Sequence, residues 1–132
     1  MTNKVLVYVD HFKGEALPAS WEAIGAARMI AESLGMGVTA VIVGQNVQPL
    51  AKQAIEYGAD DAVVAENPAL ADFQPEPYAD VLSKVAAEAD VLILPTSGRT
   101  RELAAMTAVD LETGLSPDVI ELEVDGGLVL AT

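Results

Sequence analysis

Val91-Leu-Ile-Leu-Pro-Thr-Ser-Gly-Arg-Thr-Arg-Glu-Leu-Ala-Ala-Met106 decides the fold class. Val91 to Leu94 is a short apolar run that suits only a buried strand. Thr96, Ser97, Gly98, Arg99 and Thr100 form a polar turn with the densest cluster of hydroxyls, backbone donors and positive charge in an acidic chain. Thr100 is placed as the N-cap of a helix carrying Leu103, Ala104, Thr107, Ala108 and Leu111, with Gly114 at its exit. Buried strand, polar turn and amphipathic helix make one half of a parallel α/β unit.

The same grammar recurs upstream. Lys4 to Val9 is apolar and β-branched without in/out alternation, as in a strand covered on both faces. His11 to Leu17 reads as a loop around Gly14, and Pro18 or Ala19 opens a helix. Its inner face is Trp21, Ile24, Ala27, Ala31 and Leu34, and Gly35 stops it. Val38 to Val43 is a second buried strand. Asn46 is placed to cap a helix with inner face Val47, Leu50, Ala51, Ala54 and Ile55. Tyr57 to Asp60 ends that helix, and Ala62 to Ala65 is a third strand. Glu66 to Pro77 is the least regular segment, and a proline starts a helix lined by Tyr78, Val81, Leu82 and Val85. After Gly114, Val119 to Val124 and Leu128 to Ala131 flank Asp125-Gly126-Gly127, an antiparallel hairpin. The predicted fold is a three-layer α/β sandwich with a mainly parallel sheet and a C-terminal antiparallel hairpin, one domain over residues 1–132.

Composition narrows the function. The chain has 132 residues, 52% hydrophobic, enough for one core and unlike a disordered tail. No cysteine is present, which excludes disulfides, thiolate metal sites and a cysteine nucleophile. The net charge of −13 repels phosphate backbones and anionic lipid, so nucleic acid and membrane insertion are not expected. Scattered acids also serve solubility alone. Met1 to Lys4 runs into a strand without signal or transit character, so a bacterial-type cytoplasmic location is expected.

Gly35-Met36-Gly37 precedes a strand, so it is no dinucleotide fingerprint, and there is neither a phosphate-binding P-loop nor a Gly-x-Ser-x-Gly elbow. One histidine, His11, makes a poor metal site. Two places remain. Asp10 and His11 lie at the carboxyl end of the first strand, where open α/β sheets bind ligands. They read as a grip on a nucleotide, or as a loop acid beside a partly exposed histidine. At the turn, helix-start N–H groups with Arg99 or Arg101 would hold an anion. Alternatively, Thr100 caps the helix and the arginines pair with Glu102 or Asp118. Trp21 and Tyr78 read as core packing rather than flavin stacking.

Asp10 to Pro18, followed by Glu22 to Arg28, resembles the opening of the electron transfer flavoprotein α subunit. Tyr57-Gly-Ala-Asp60, Asn67 to Leu70, Pro75 to Tyr78, Thr96 to Arg99, and Thr113 to Leu115 with Asp118 follow in that family's order. The resemblance implies the N-terminal domain, similar in fold to adenine-nucleotide-binding α/β domains and universal stress proteins. It implies pairing with a β subunit. It also implies electron transfer from acyl-CoA or other dehydrogenases to a quinone oxidoreductase or another acceptor. FAD would be held by a C-terminal domain beyond these residues, and AMP, where present, by the β subunit. Neither is expected on this chain alone, nor is a catalytic residue. The chain departs from the family in stopping at Thr132, in mid-strand, and in having Thr100 where an acid often follows Gly-Arg. The leading expectation is a scaffold domain that docks the β subunit and supports the flavin domain. The alternative is a stand-alone adenine-nucleotide module using Asp10, Thr96, Ser97, Gly98 and Arg99.

Overall fold

The strand at the centre is β1 (Lys4–Tyr8), and from Val5 to Val9 no residue is more than 4% exposed. In the computed structural model, which describes residues 4–12, 15–86, 91–95, 100, 102–103, 105–107, 120–124 and 127–131, both faces of β1 are covered by helices. A short antiparallel pair follows, β2 (His11–Phe12) and β3 (Glu15–Ala16), then α1 (Pro18–Leu34) and β4 (Gly37–Gly44). Next come α2 (Gln48–Glu56), β5 (Asp61–Glu66), a 3-10 turn (Pro68–Leu70), α3 (Pro75–Ala86) and β6 (Val91–Pro95). Residues 100, 102–103 and 105–107 are helical, and β7 (Ile120–Val124) and β8 (Gly127–Ala131) close the order.

The main sheet runs β5-β4-β1-β6-β8-β7. β5, β4, β1 and β6 are parallel, with Val5 opposite Val38 on one side and Val91 on the other. β8 is antiparallel to both β6 and β7, so the hairpin expected near the C-terminus extends the sheet beyond β6.

Because successive strand side chains point to opposite faces, each strand feeds two cores. Val5, Val7, Val38, Ala40 and Ile42 pack under α1 and α2 with Ile24, Ala27, Leu50 and Ala54. Leu6, Tyr8, Val41, Val43, Leu92 and Leu94 pack under α3 with Tyr78 and Leu82, and under Leu103 and Met106. The path explains the division. Two right-handed crossovers step outward from β1 through β4 to β5, placing α1 and α2 on one face. The next crosses back past β1 to β6, and the same handedness puts α3 on the other.

Several local readings are corrected. Residues 11–17 are not simply a loop, since they hold the β2–β3 pair. Asn46 does not cap α2: it has φ 57, and the N-cap is Val47, whose N–H is met at 3.2 Å by the Glu66 carboxylate at the end of β5. The capping acceptor thus comes from across the fold. Ile55 is 49% and Leu34 53% exposed, so neither lies on the buried inner face expected for it; in α2 that face is Leu50 and Ala54. Trp21 is half-buried and stacks on Tyr57, centroids 4.5 Å apart and planes 4° from parallel. Tyr78 is a core residue whose hydroxyl donates to the Leu70 carbonyl at 2.6 Å. Gly35 ends α1 in the left-handed region at φ 69, and its N–H reaches the Ala31 and Glu32 carbonyls.

The amino edge of the sheet is held by two adjacent acids. Asp60 accepts from the Val38 N–H at 2.8 Å and the Arg28 guanidinium at 2.9 Å. Asp61 accepts from the Thr39 hydroxyl at 2.5 Å and Lys4 Nζ at 3.1 Å.

Candidate functional site

The strand order reverses at β1: the chain leaves it toward β4 and later returns on the other side as β6. The crevice beyond the carboxyl ends of β1 and β6 is therefore the switch point where open α/β sheets take ligands. Asp10 follows β1 and Thr100 follows β6, so both predicted residues stand at this edge. Thr96, Ser97, Gly98 and Arg99 lie outside the described residues, as do Arg101 and Asp118.

Asp10 is 1% exposed. Its N–H donates to Ser20 Oγ at 2.8 Å, and the Ser20 hydroxyl donates back to the Asp10 carbonyl at 2.9 Å. The Leu17 N–H donates to the same carbonyl at 2.9 Å. The reason is local. Leu17, the N-cap of α1, has no side-chain acceptor and Pro18 has no N–H, so the helix start is anchored through Ser20 in its first turn.

His11 is pinned. Its Nε2 lies 2.7 Å from the Val43 carbonyl; a carbonyl only accepts, so Nε2 carries the proton in this bond. The ring lies over Gly44, where an added Cβ would come within 2.9 Å of His11 Cε1 and of Val47 Cγ1. The missing side chain at Gly44 is what lets the ring sit there. Thr100 is fully buried and already helical, so it does not sit at the N-cap; its hydroxyl donates to the Pro95 carbonyl at the end of β6. About two turns on, the Thr107 hydroxyl donates within the helix to the Leu103 carbonyl at 2.7 Å.

The structure thus brings Asp10, His11 and Thr100 to one edge and adds Ser20 and Gly44. No pattern signalled Ser20, whose role is a contact ten residues back. Gly44 was visible only as the end of a strand. Among the described residues no group of three His, Asp or Glu is arranged to hold a metal. The resolved shifts in acidity lie at the opposite edge. The Val38 N–H and then Arg28 hold the Asp60 carboxyl below its ordinary range. The Thr39 hydroxyl does most of the same for Asp61. The hydrogen bond that Arg28 donates to Asp60 raises the guanidinium above its usual value.

Comparison with known proteins gives the ancestry. The family model of the electron transfer flavoprotein domain matches residues 5–132. This chain belongs to the electron transfer flavoprotein family. It is 34% identical over 131 residues to the electron transfer flavoprotein subunit alpha of Thermoanaerobacterium thermosaccharolyticum, covering 97% of this chain and 40% of that protein. It is 36% identical to the alpha subunit of Bacillus subtilis, covering 100% and 41%. It is 35% identical to the protein FixB of Azorhizobium caulinodans, covering 96% and 36%. The chain thus spans about two fifths of the length of these relatives. The resemblance drawn from Asp10 to Arg28 and the later motifs leads to the same family. Among the described residues no helix is long and apolar enough to cross a membrane.

Proposed function

We propose that this chain is the N-terminal scaffold domain of an electron transfer flavoprotein α subunit. Its task is to dock a β subunit and support a flavin domain supplied by further chain. In this reading the 132 residues hold no redox group and no catalytic residue. FAD sits on the flavin domain, and AMP, where present, on the β subunit. The assembled cytoplasmic protein carries electrons from acyl-CoA or other dehydrogenases to a quinone oxidoreductase. One observation carries the reading. The Ser20 and Thr100 hydroxyls and the His11 Nε2–H at the switch point are all engaged by carbonyls of the chain itself. That edge is built as an internal brace. The match to an electron transfer flavoprotein domain along nearly the whole chain supports it further.

The test is co-expression with the β subunit of the same organism, followed by light-scattering mass and a visible spectrum. A one-to-one complex is expected, and the chain alone, incubated with FAD and then separated from unbound flavin by gel filtration, elutes colourless. Two separate species at about 10 μM, a concentration at which specific interfaces hold, refute docking.

The placement of Asp10 and Thr100 on either side of the switch point favours a second reading, an adenine-nucleotide module of the stress-protein type using Asp10 and Thr96 to Thr100. Calorimetry with AMP and ATP separates the two. Absence of heat at millimolar nucleotide removes the module.

A further inference from the structure

α1 leaves one side uncovered. Trp21, Gly25 and Met29 recur every four residues, so they form one stripe that Pro18 begins; Pro18, Gly25 and Met29 are exposed, while Trp21, half-buried against the core, forms its edge. Met29 is 70% exposed, and Tyr57, 55% exposed, widens the stripe by stacking on Trp21. Gly25 stands at its middle. An exposed glycine weakens a helix relative to alanine. Nothing in the fold requires it here: its φ is not positive, and an added Cβ would meet no described atom within 4 Å. The result is a shallow notch between a thioether and an aromatic pair, open to the outside.

The rim is acidic. Glu22 and Glu32, each three residues from a member of the stripe on α1, and Glu56, next to Tyr57 in the chain, are all exposed. The nearby base is already engaged: Arg28 bonds Asp60 at 2.9 Å and the Gly58 carbonyl at 3.2 Å, with Glu32 at 3.6 Å. Lys52, five residues before Tyr57 on α2, is turned about 140° away from it at 100° per residue. A second copy of this chain is a poor occupant, because it would set Glu22, Glu32 and Glu56 against themselves on a chain of net charge −13.

We infer that the stripe Pro18–Trp21–Gly25–Met29 with Tyr57 is a docking surface for a partner's amphipathic helix, whose apolar side chains fill the notch and whose flanking Lys or Arg meet Glu22 and Glu56, the two rim acids that Arg28 does not already pair. The Gly25 notch lets the partner backbone approach closely, and the acids select a basic partner over other apolar helices. The inference rests on the exposed face of α1 and the end of α2, not on the proposed pairing with a β subunit, so failure of the β-subunit test leaves it standing.

The probe is a synthetic amphipathic peptide of about 18 residues, long enough to hold some helix in water, with a leucine stripe flanked by lysines. A scrambled peptide of the same composition is the control. Trp21 is the chain's one tryptophan, so its emission reports contact at the stripe. The expected result is saturable binding with a blue shift, weakened by added salt. Gly25→Gln and Met29→Gln, both neutral and outside the core, should each lower affinity about tenfold or more. Ile55→Gln, exposed outside the stripe, should leave it unchanged. Chemical denaturation should show all three variants folded. Equal binding by the scrambled peptide or by both stripe variants overturns the inference. So does an unmoved Trp21 spectrum, or self-association of the chain that Met29→Gln abolishes.

Discussion

Gly44→Ala is the sharpest test of how the carboxyl edge is built. The backbone there is open to alanine, since positive φ among the described glycines is confined to Gly35 and Gly58. The obstacle is contact. The new methyl would lie 2.9 Å from both His11 Cε1 and Val47 Cγ1 and 3.0 Å from His11 Nε2, where apolar atoms normally rest at about 3.5–4.0 Å. Val47 is fully buried, and its N–H is held by Glu66, so it has little room to give. The His11 ring is the freer partner. Moving it breaks the 2.7 Å bond to the Val43 carbonyl, in a buried residue, a loss of about 0.5–1.5 kcal/mol. Residual overpacking against Val47 adds about 1–3 kcal/mol. Stiffening of the unfolded chain returns about 0.4–1 kcal/mol. The net expectation is destabilisation of about 1–3 kcal/mol, read from the urea midpoint by far-UV circular dichroism at unchanged slope. The cycle with His11→Ala isolates the cause: in the His11→Ala background the same Gly44→Ala change should cost distinctly less. A neutral or stabilising Gly44→Ala, or strict additivity in the cycle, refutes the argument that the ring requires the bare glycine.

At the amino edge, the depressed carboxyl of Asp60 links stability to pH. Its contribution is complete above the unfolded carboxyl value of about 3.9 and is lost as pH falls through the lower folded value. Urea titrations from pH 6 downward should therefore show an acid loss that is smaller in Asp60→Asn, and an identical acid profile would sink the assignment. At neutral pH, Asp60→Ala, which also strips the acceptor from the Val38 N–H, should be less stable than Asp60→Asn by about 1 kcal/mol. Ser20→Ala removes both bonds to the Asp10 backbone, and about 1–3 kcal/mol of destabilisation is expected, with faster hydrogen exchange at the Asp10 amide. Unchanged exchange there would show that Leu17 alone holds the turn.

The sequence by itself determined the elements and their class. Lys4 to Val9, Val38 to Val43 and Val91 to Leu94 announce buried parallel strands because a doubly covered strand reads as a nearly continuous apolar run, a property of consecutive residues. Gly35 announces the end of α1 because a left-handed cap favours the residue without a Cβ. The hairpin around Asp125 to Gly127 was legible for the same local reason, and the alternation of elements left few topologies open. At the candidate site, position was legible but bonding was not. Asp10 and Thr100 could be placed at one edge because both follow strands of an alternating, parallel α/β pattern. Only the tertiary structure showed that His11 bonds a carbonyl 32 residues away, that Gly44 makes room for it, and that Glu66 rather than Asn46 serves the start of α2. Such contacts join residues from different elements, and each side chain taken alone fits many partners. The sequence names the donors and acceptors; packing the two layers of helices against the sheet decides which of them meet.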